Sequence, residues 1–188
     1  MDNQRAIKDY NIWSNFTYFI SAIYALIIPF ITLNMSKGYK ALFIASGILI
    51  ALDGSISCIY HQFTPSYKEN KDQSKEEEYK ILCDLDRYLA IMSAVLSAII
   101  FLMRIYAGKF WVIVKDPTFY IMILFIAIGF VFYFMARKYD DELETCKNKK
   151  CIVYHMDSYD ILHSNWHLFT GISILFGLTT LKHTFERA

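Results

Sequence analysis

Proline and glycine are scarce in this 188-residue chain, three and seven residues respectively, and cysteine occurs only four times. Such a composition rules out collagen-like and Pro/Gly-rich low-complexity architectures, and four cysteines are too few for a disulfide-stapled scaffold of this length. Charge is also thin: charged residues make up 20% of the chain, and nineteen basic residues offset eighteen acidic ones to leave a formal +1. No basic stretch interleaved with aromatics is present to follow a phosphate backbone, so no nucleic acid partner is expected. Internal repeats are absent, and so is any linker that would mark a second domain. Residues 1–188 therefore read as a single domain.

What the chain has in abundance is hydrocarbon. Hydrophobic residues make up 55% and aromatics 17%, and they come in long runs rather than in helical stripes. Runs of about twenty apolar residues are long enough to cross a bilayer as helices. The fold expected is all-α, an integral membrane helical bundle with five transmembrane spans at about 12–33, 41–60, 82–103, 118–135 and 160–181. The first run exceeds a signal-peptide core and no small-residue cleavage pattern follows it, so it is expected to be kept as a span. A weaker apolar patch, Phe110 to Val114, is too short to cross at about 1.5 Å per residue and is expected at the interface. Gln62 to Lys80, with its run of glutamates between lysines, reads as a solvated loop.

Three histidines stand at the ends of these runs. His163 and His167 are four positions apart at the start of the last span, which places both imidazoles on one helix face, the spacing with which one helix offers a metal ion two nitrogen ligands. In the second span Asp53, Ser57 and His61 recur at intervals of four and share one stripe. The third span enters with Asp84, Asp86 and Arg87. Counting spans, the second helix ends at His61 on the side where the third begins with Asp86, and one further crossing returns the chain there for His163. His61, His163 and His167 thus supply three ligands of a catalytic zinc site whose fourth position is left to water. Asp86 is the candidate proton shuttle, and Ser57 the group that holds the oxyanion or the water.

Blander roles exist for each residue. Asp84 and Asp86 suit the amino end of a helix, Ser57 suits helix packing, and Asp53 near mid-span must be protonated, paired or facing a polar cavity. His155 and His183 have no partner at useful spacing. Cys146 and Cys151 either pair in an oxidising compartment or stay as free thiols in a loop. Basic residues in the short connections, among them Lys37, Lys40, Arg104, Lys109, Lys115, Lys182 and Arg187, mark the opposite side as cytosolic, so the histidines are expected on the lumenal or exterior face of an endomembrane or of the cell surface.

Together these motifs resemble a known family. Ser57-Cys-Ile-Tyr-His61 in the second span, Leu85-Asp86 leading to Ser93 in the third, and His163-Ser-Asn-Trp-His167-Leu-Phe-Thr-Gly in the last are similar to the S-x3-H, D and H-x3-H signatures of the CREST superfamily of membrane hydrolases, in particular the alkaline ceramidases and the myomaker-like group. The resemblance implies a helical bundle holding Zn2+ through His61, His163 and His167, with Asp86 and Ser57 beside it. It also implies hydrolysis of a lipid amide or ester, the substrate being a ceramide-like membrane lipid or a glycerophospholipid or GPI-like one. The alternative is a receptor-like or membrane-remodelling protein in which the metal is a structural clasp. A channel using Asp53 and the histidines as a proton path ranks last, because these groups gather at one side of the membrane instead of crossing it.

Overall fold

Long apolar runs containing a single proline, Pro29, leave the backbone one good solution away from water, the helix, in which every interior N–H and C=O is bonded within the segment. The structure, a computed structural model, describes residues 2–70, 76–143, 145–146 and 149–187. Among these residues there is no strand, and the helices are α1 (Asp2–Ile31), α2 (Lys37–Asn70), α3 (Glu76–Arg104), α4 (Phe110–Val114), α5 (Pro117–Leu143) and α6 (Lys149–Glu186). Four stretches are long and apolar enough to cross a membrane: Trp13–Ile31, Lys37–His61, Ile81–Val114 and Pro117–Glu142. The helix α6 is the longest of all, at 38 residues. Its apolar run is diluted by His163, Asn165 and His167, and it falls outside that set.

Two expectations are corrected by the backbone. Most of the segment from Gln62 to Lys80 is helical, because α2 continues to Asn70 and α3 resumes at Glu76; residues 71–75 lie outside the described part. Hydropathy marks where a helix leaves hydrocarbon, whereas the backbone ladder continues as long as its own hydrogen bonds do. For the same reason Asp84 does not cap a helix. It lies two turns inside α3, on an exposed surface where it pairs with Arg87 at 3.7 Å.

Between α3 and α5 the chain turns through a wide turn at Ile105–Lys109, where Gly108 has φ +78°, a left-handed conformation open chiefly to glycine. The five-residue helix α4 follows, and Asp116-Pro117-Thr118 then starts α5. Asp116 Oδ1 accepts hydrogen bonds from the Thr118 backbone N–H (3.0 Å) and hydroxyl (2.5 Å), while Pro117 takes the first helical position, where no N–H is needed.

The helices pack in an open arc in the order α3, α2, α1, α6, α5, with α3 touching α6 only lightly. Where α1 meets α6 the backbones approach closely. A side chain on Gly171 would collide with Thr17, and Ser21 donates a hydrogen bond to the Gly171 carbonyl at 2.9 Å. The distribution of polarity is the reverse of a water-soluble protein. Phe30, Leu33, Leu102, Leu124 and Phe134 stand exposed, while Ser14, Asn15, Asp53, Ser57, His61 and Asp86 are buried. An outer surface so continuously apolar suits lipid rather than water.

At the end of the bundle remote from the histidines, Arg104 is drawn inward. Its guanidinium donates to the Thr184 hydroxyl (2.8 Å) and carbonyl (2.5 Å) and lies 3.8 Å from the centre of the Phe185 ring. A cation bonded to a carbonyl in the last turn of α6 complements the negative end of that helix. Beside it Asp116, 1% exposed, accepts from His183 Nδ1 at 2.6 Å and pairs with Arg187 at 3.3 Å. His183, which has no partner at sequence spacing, thus ties α6 to the start of α5. Burial alone pushes the Asp116 carboxyl up, but the hydrogen bonds from Thr118 and His183 outweigh it and hold the group below the ordinary carboxylate range.

Candidate metal centre and adjoining cavity

The i, i+4 geometry of α6 brings His163 and His167 together with Nε2 atoms 2.9 Å apart. His61, carried by α2, closes the group. Its ring centre is 4.9 Å from that of His163 and 5.3 Å from that of His167. One nitrogen from each of the three residues lies within 4.8 Å of the others, and all three side chains are buried. Ser57, one turn before His61, has its hydroxyl 3.1 Å from His167 Nε2. Asp86 arrives from α3, 5% exposed, within hydrogen-bonding reach of Ser57, and its Oδ1 has no hydrogen-bond partner among the described residues. All five candidate residues therefore come together, from three different helices.

The donor set fits a borderline divalent cation such as zinc. Neutral imidazole nitrogens are its usual ligands, three of them leave one tetrahedral position open, and Asp86, linked to the group through Ser57, keeps a buried carboxylate oxygen without a hydrogen bond among the described residues. Tyr18 adds what a metal-binding histidine needs on its far side. Its hydroxyl is 3.4 Å from His167 Nδ1, so an Nδ1–H directed at Tyr18 leaves the Nε2 lone pair facing the cluster. Sequence reasoning does not find Tyr18, since one tyrosine in an apolar first span carries no local signal. Trp166 was likewise visible only as part of a motif; its ring packs 5.0 Å from that of His163 and 4.5 Å from that of His167.

Next to the cluster lies a partly open cavity of about 460 Å³ between α3 on one side and α5 and α6 on the other. Small residues on α3 make the room: Ala90, Ala94 and Ala98 recur every fourth position, with Ser93 and Ser97 beside them. Trp166 lines the end next to the histidines and Leu181 the other, a run of about 22 Å along α6 at 1.5 Å per residue. Asp53 faces this cavity, but its lining is mainly apolar rather than polar. Asp53 lines it together with Tyr18 and Ser93, and both Asp53 Oδ1 and Ser93 Oγ are buried without a hydrogen-bond partner among the described residues.

A second cluster stands apart from the first. Cys146 and Cys151 form a disulfide, which settles their pairing, and His155 lies beside them with Glu142 at 3.5 Å. His155 was without a partner in the linear sequence; its neighbours come from the end of α5 and from the turn before α6. Compared with protein-family models, with curated proteins and with solved structures, the chain matches none of them.

Proposed function

We propose that this protein is a five-span integral membrane hydrolase that uses zinc to cleave an amide or ester bond of a membrane lipid, as its resemblance to the CREST superfamily implies. The observation that carries this reading is the meeting of His61, His163 and His167 with Ser57 and Asp86 close to an apolar cavity whose lining includes the neighbouring Tyr18, Asp53 and Trp166. Zinc held by the three histidines would supply Lewis acidity and a water of lowered pKa. Asp86 takes the proton of the attacking water and returns it to the leaving nitrogen or oxygen, so that it ends the cycle as it began. Ser57 donates its hydroxyl to the carbonyl oxygen as charge builds there. Trp166 and Tyr18 hold the His163 and His167 rings in place.

The cavity supplies the site for the acyl chain. Half of a hydrocarbon core of about 30 Å is about 15 Å, so a slot of about 22 Å accommodates the full length of one leaflet's chain. Its lining of Ala, Ile, Phe and Met matches an alkyl chain, and its polar end, at Tyr18, Asp53 and Ser93, lies toward the reacting bond. The positive-inside count favours the lumenal or exterior side for this end of the bundle.

The depth of the histidines favours a second reading. His61 and His167 are each only 1% exposed, as in closed structural sites, so a metal clasp between α2 and α6 in a receptor-like or membrane-remodelling protein is the rival. Metal analysis of purified protein, paired with a screen of ceramides and glycerophospholipids for released fatty acid, separates the two. One zinc per chain with fatty-acid release supports the hydrolase; zinc without turnover of any lipid in the screen supports the clasp, and absence of bound zinc after metal reconstitution overturns both.

A further inference from the structure

We propose that Cys146, Cys151 and His155 form a second metal site, open only when the disulfide is reduced, for a thiophilic divalent cation such as zinc. Cys151 and His155 are four positions apart in the first turns of α6 and so share a face. Cys146 reaches the same point from the turn that precedes α6, and one donor atom from each of the three lies within 4.8 Å of the others. Donors around tetrahedral zinc, at about 2.3 Å for sulfur and about 2.0 Å for nitrogen, stand roughly 3.5 Å from one another, so on reduction the two sulfurs, bonded to each other in the disulfide, must move apart while the imidazole nitrogen needs only a small approach. Glu142, in the last turn of α5, is 3.5 Å from His155 Nδ1, the placing of a carboxylate that orients a ligating imidazole or serves as a fourth ligand. Two thiolates, an imidazole and a carboxylate form a set that zinc prefers over magnesium or calcium.

The two occupied states exclude each other because the disulfide uses both sulfurs. A dithiol reductant gives two electrons and two protons to the Cys146–Cys151 bond and closes to its own cyclic disulfide, leaving two thiols. The cation then displaces both thiol protons to water and bonds to the two sulfurs and to His155. In either state the connection that follows α5 is clasped to the start of α6, the helix that carries His163 and His167 about two and three turns beyond His155. Reduction without metal releases the clasp.

Cobalt(II) distinguishes this site from the histidine cluster, since only thiolate ligands give an intense sulfur-to-cobalt charge-transfer band. Added to the oxidised full-length protein in detergent, cobalt should give no such band. After reduction with dithiothreitol and anaerobic removal of the reductant, the band should appear at one equivalent per chain. It should vanish in Cys151→Ser, and in His155→Ala it should titrate at least about tenfold more weakly. Lack of a band in the reduced wild type overturns the proposal. So does its persistence in Cys151→Ser, which would move the thiolates to Cys58 and Cys83, or an unchanged titration in His155→Ala.

Discussion

The hydroxyl of Ser57 and the Nε2 of His167 meet at 3.1 Å although 110 residues separate them in the chain. That contact joins the middle of α2 to the first half of α6, and with His61 it brings the S-x3-H and H-x3-H motifs to one point. Neither helix packs most closely on the other; α1 packs on both, and the two approach each other at the histidines.

Loss of one α6 imidazole tests the cluster most directly. His163→Ala and His167→Ala should each lose bound zinc and lower lipid hydrolysis by more than about a hundredfold, while the protein still elutes as a folded species in detergent. A full equivalent of zinc retained by purified His163→Ala removes that residue from the ligand set.

Asp86 separates turnover from metal retention. Asp86→Asn preserves size and most of the hydrogen bonding to Ser57 but cannot accept a proton. Fatty-acid release should fall by about 10²- to 10⁴-fold with zinc content unchanged. Equal turnover by wild type and variant points to the clasp instead.

The cavity predicts a chain-length effect. Ala98→Phe adds bulk deep in the slot, remote from Asp86, and should cut the release of long acyl chains while sparing short ones. A uniform loss across chain lengths, measured with lipids that differ only in acyl length, is inconsistent with an acyl slot at this place.

Close packing of α1 on α6 gives a stability test. Gly171→Ala forces a methyl group against Thr17, whose own backbone carbon would be 3.2 Å away, and should destabilise the fold by about 1–3 kcal/mol. The melting temperature in detergent should drop accordingly, and the double variant with Thr17→Ala should recover part of it.

At the opposite end, the Asp116 carboxyl sits below its ordinary range, so the folded state binds its proton less readily than the unfolded chain does. Its contribution to stability is therefore fully present above the unfolded carboxylate value of about 3.9 and is lost as pH falls through the lower folded value. Asp116→Asn should be less stable than wild type near neutrality, and the gap should narrow on acidification below about pH 4. A gap that stays constant between pH 7 and pH 3 excludes this linkage.

Much of this is legible in the sequence. The apolar runs fall in the observed helices, because a stretch that buries hydrocarbon on all sides has no better backbone conformation than a helix. The His163/His167 pair was legible for the same local reason: four residues are about one helical turn. Other features had no local signature. Tyr18 is one tyrosine among fourteen. His155 and His183 find Glu142 and Asp116 only across helix–helix contacts, and the helical ends of α2 and α3 run through a segment whose hydropathy resembles a loop.

By itself, then, the linear order of residues determined the helices, the stripe on which Asp53, Ser57 and His61 recur, and the pairing of two imidazoles on α6, since each depends on periodicity within one segment. Only the tertiary structure decided that α3 stands away from α5 and α6 and leaves a cavity, that Asp53 and Ser93 face it, that Arg104 turns inward, and that Cys146 and Cys151 meet beside His155. These depend on how close neighbouring backbones can come. That distance is set by pairs such as Gly171 and Thr17, which are remote in the chain and acquire meaning only once the helices are packed.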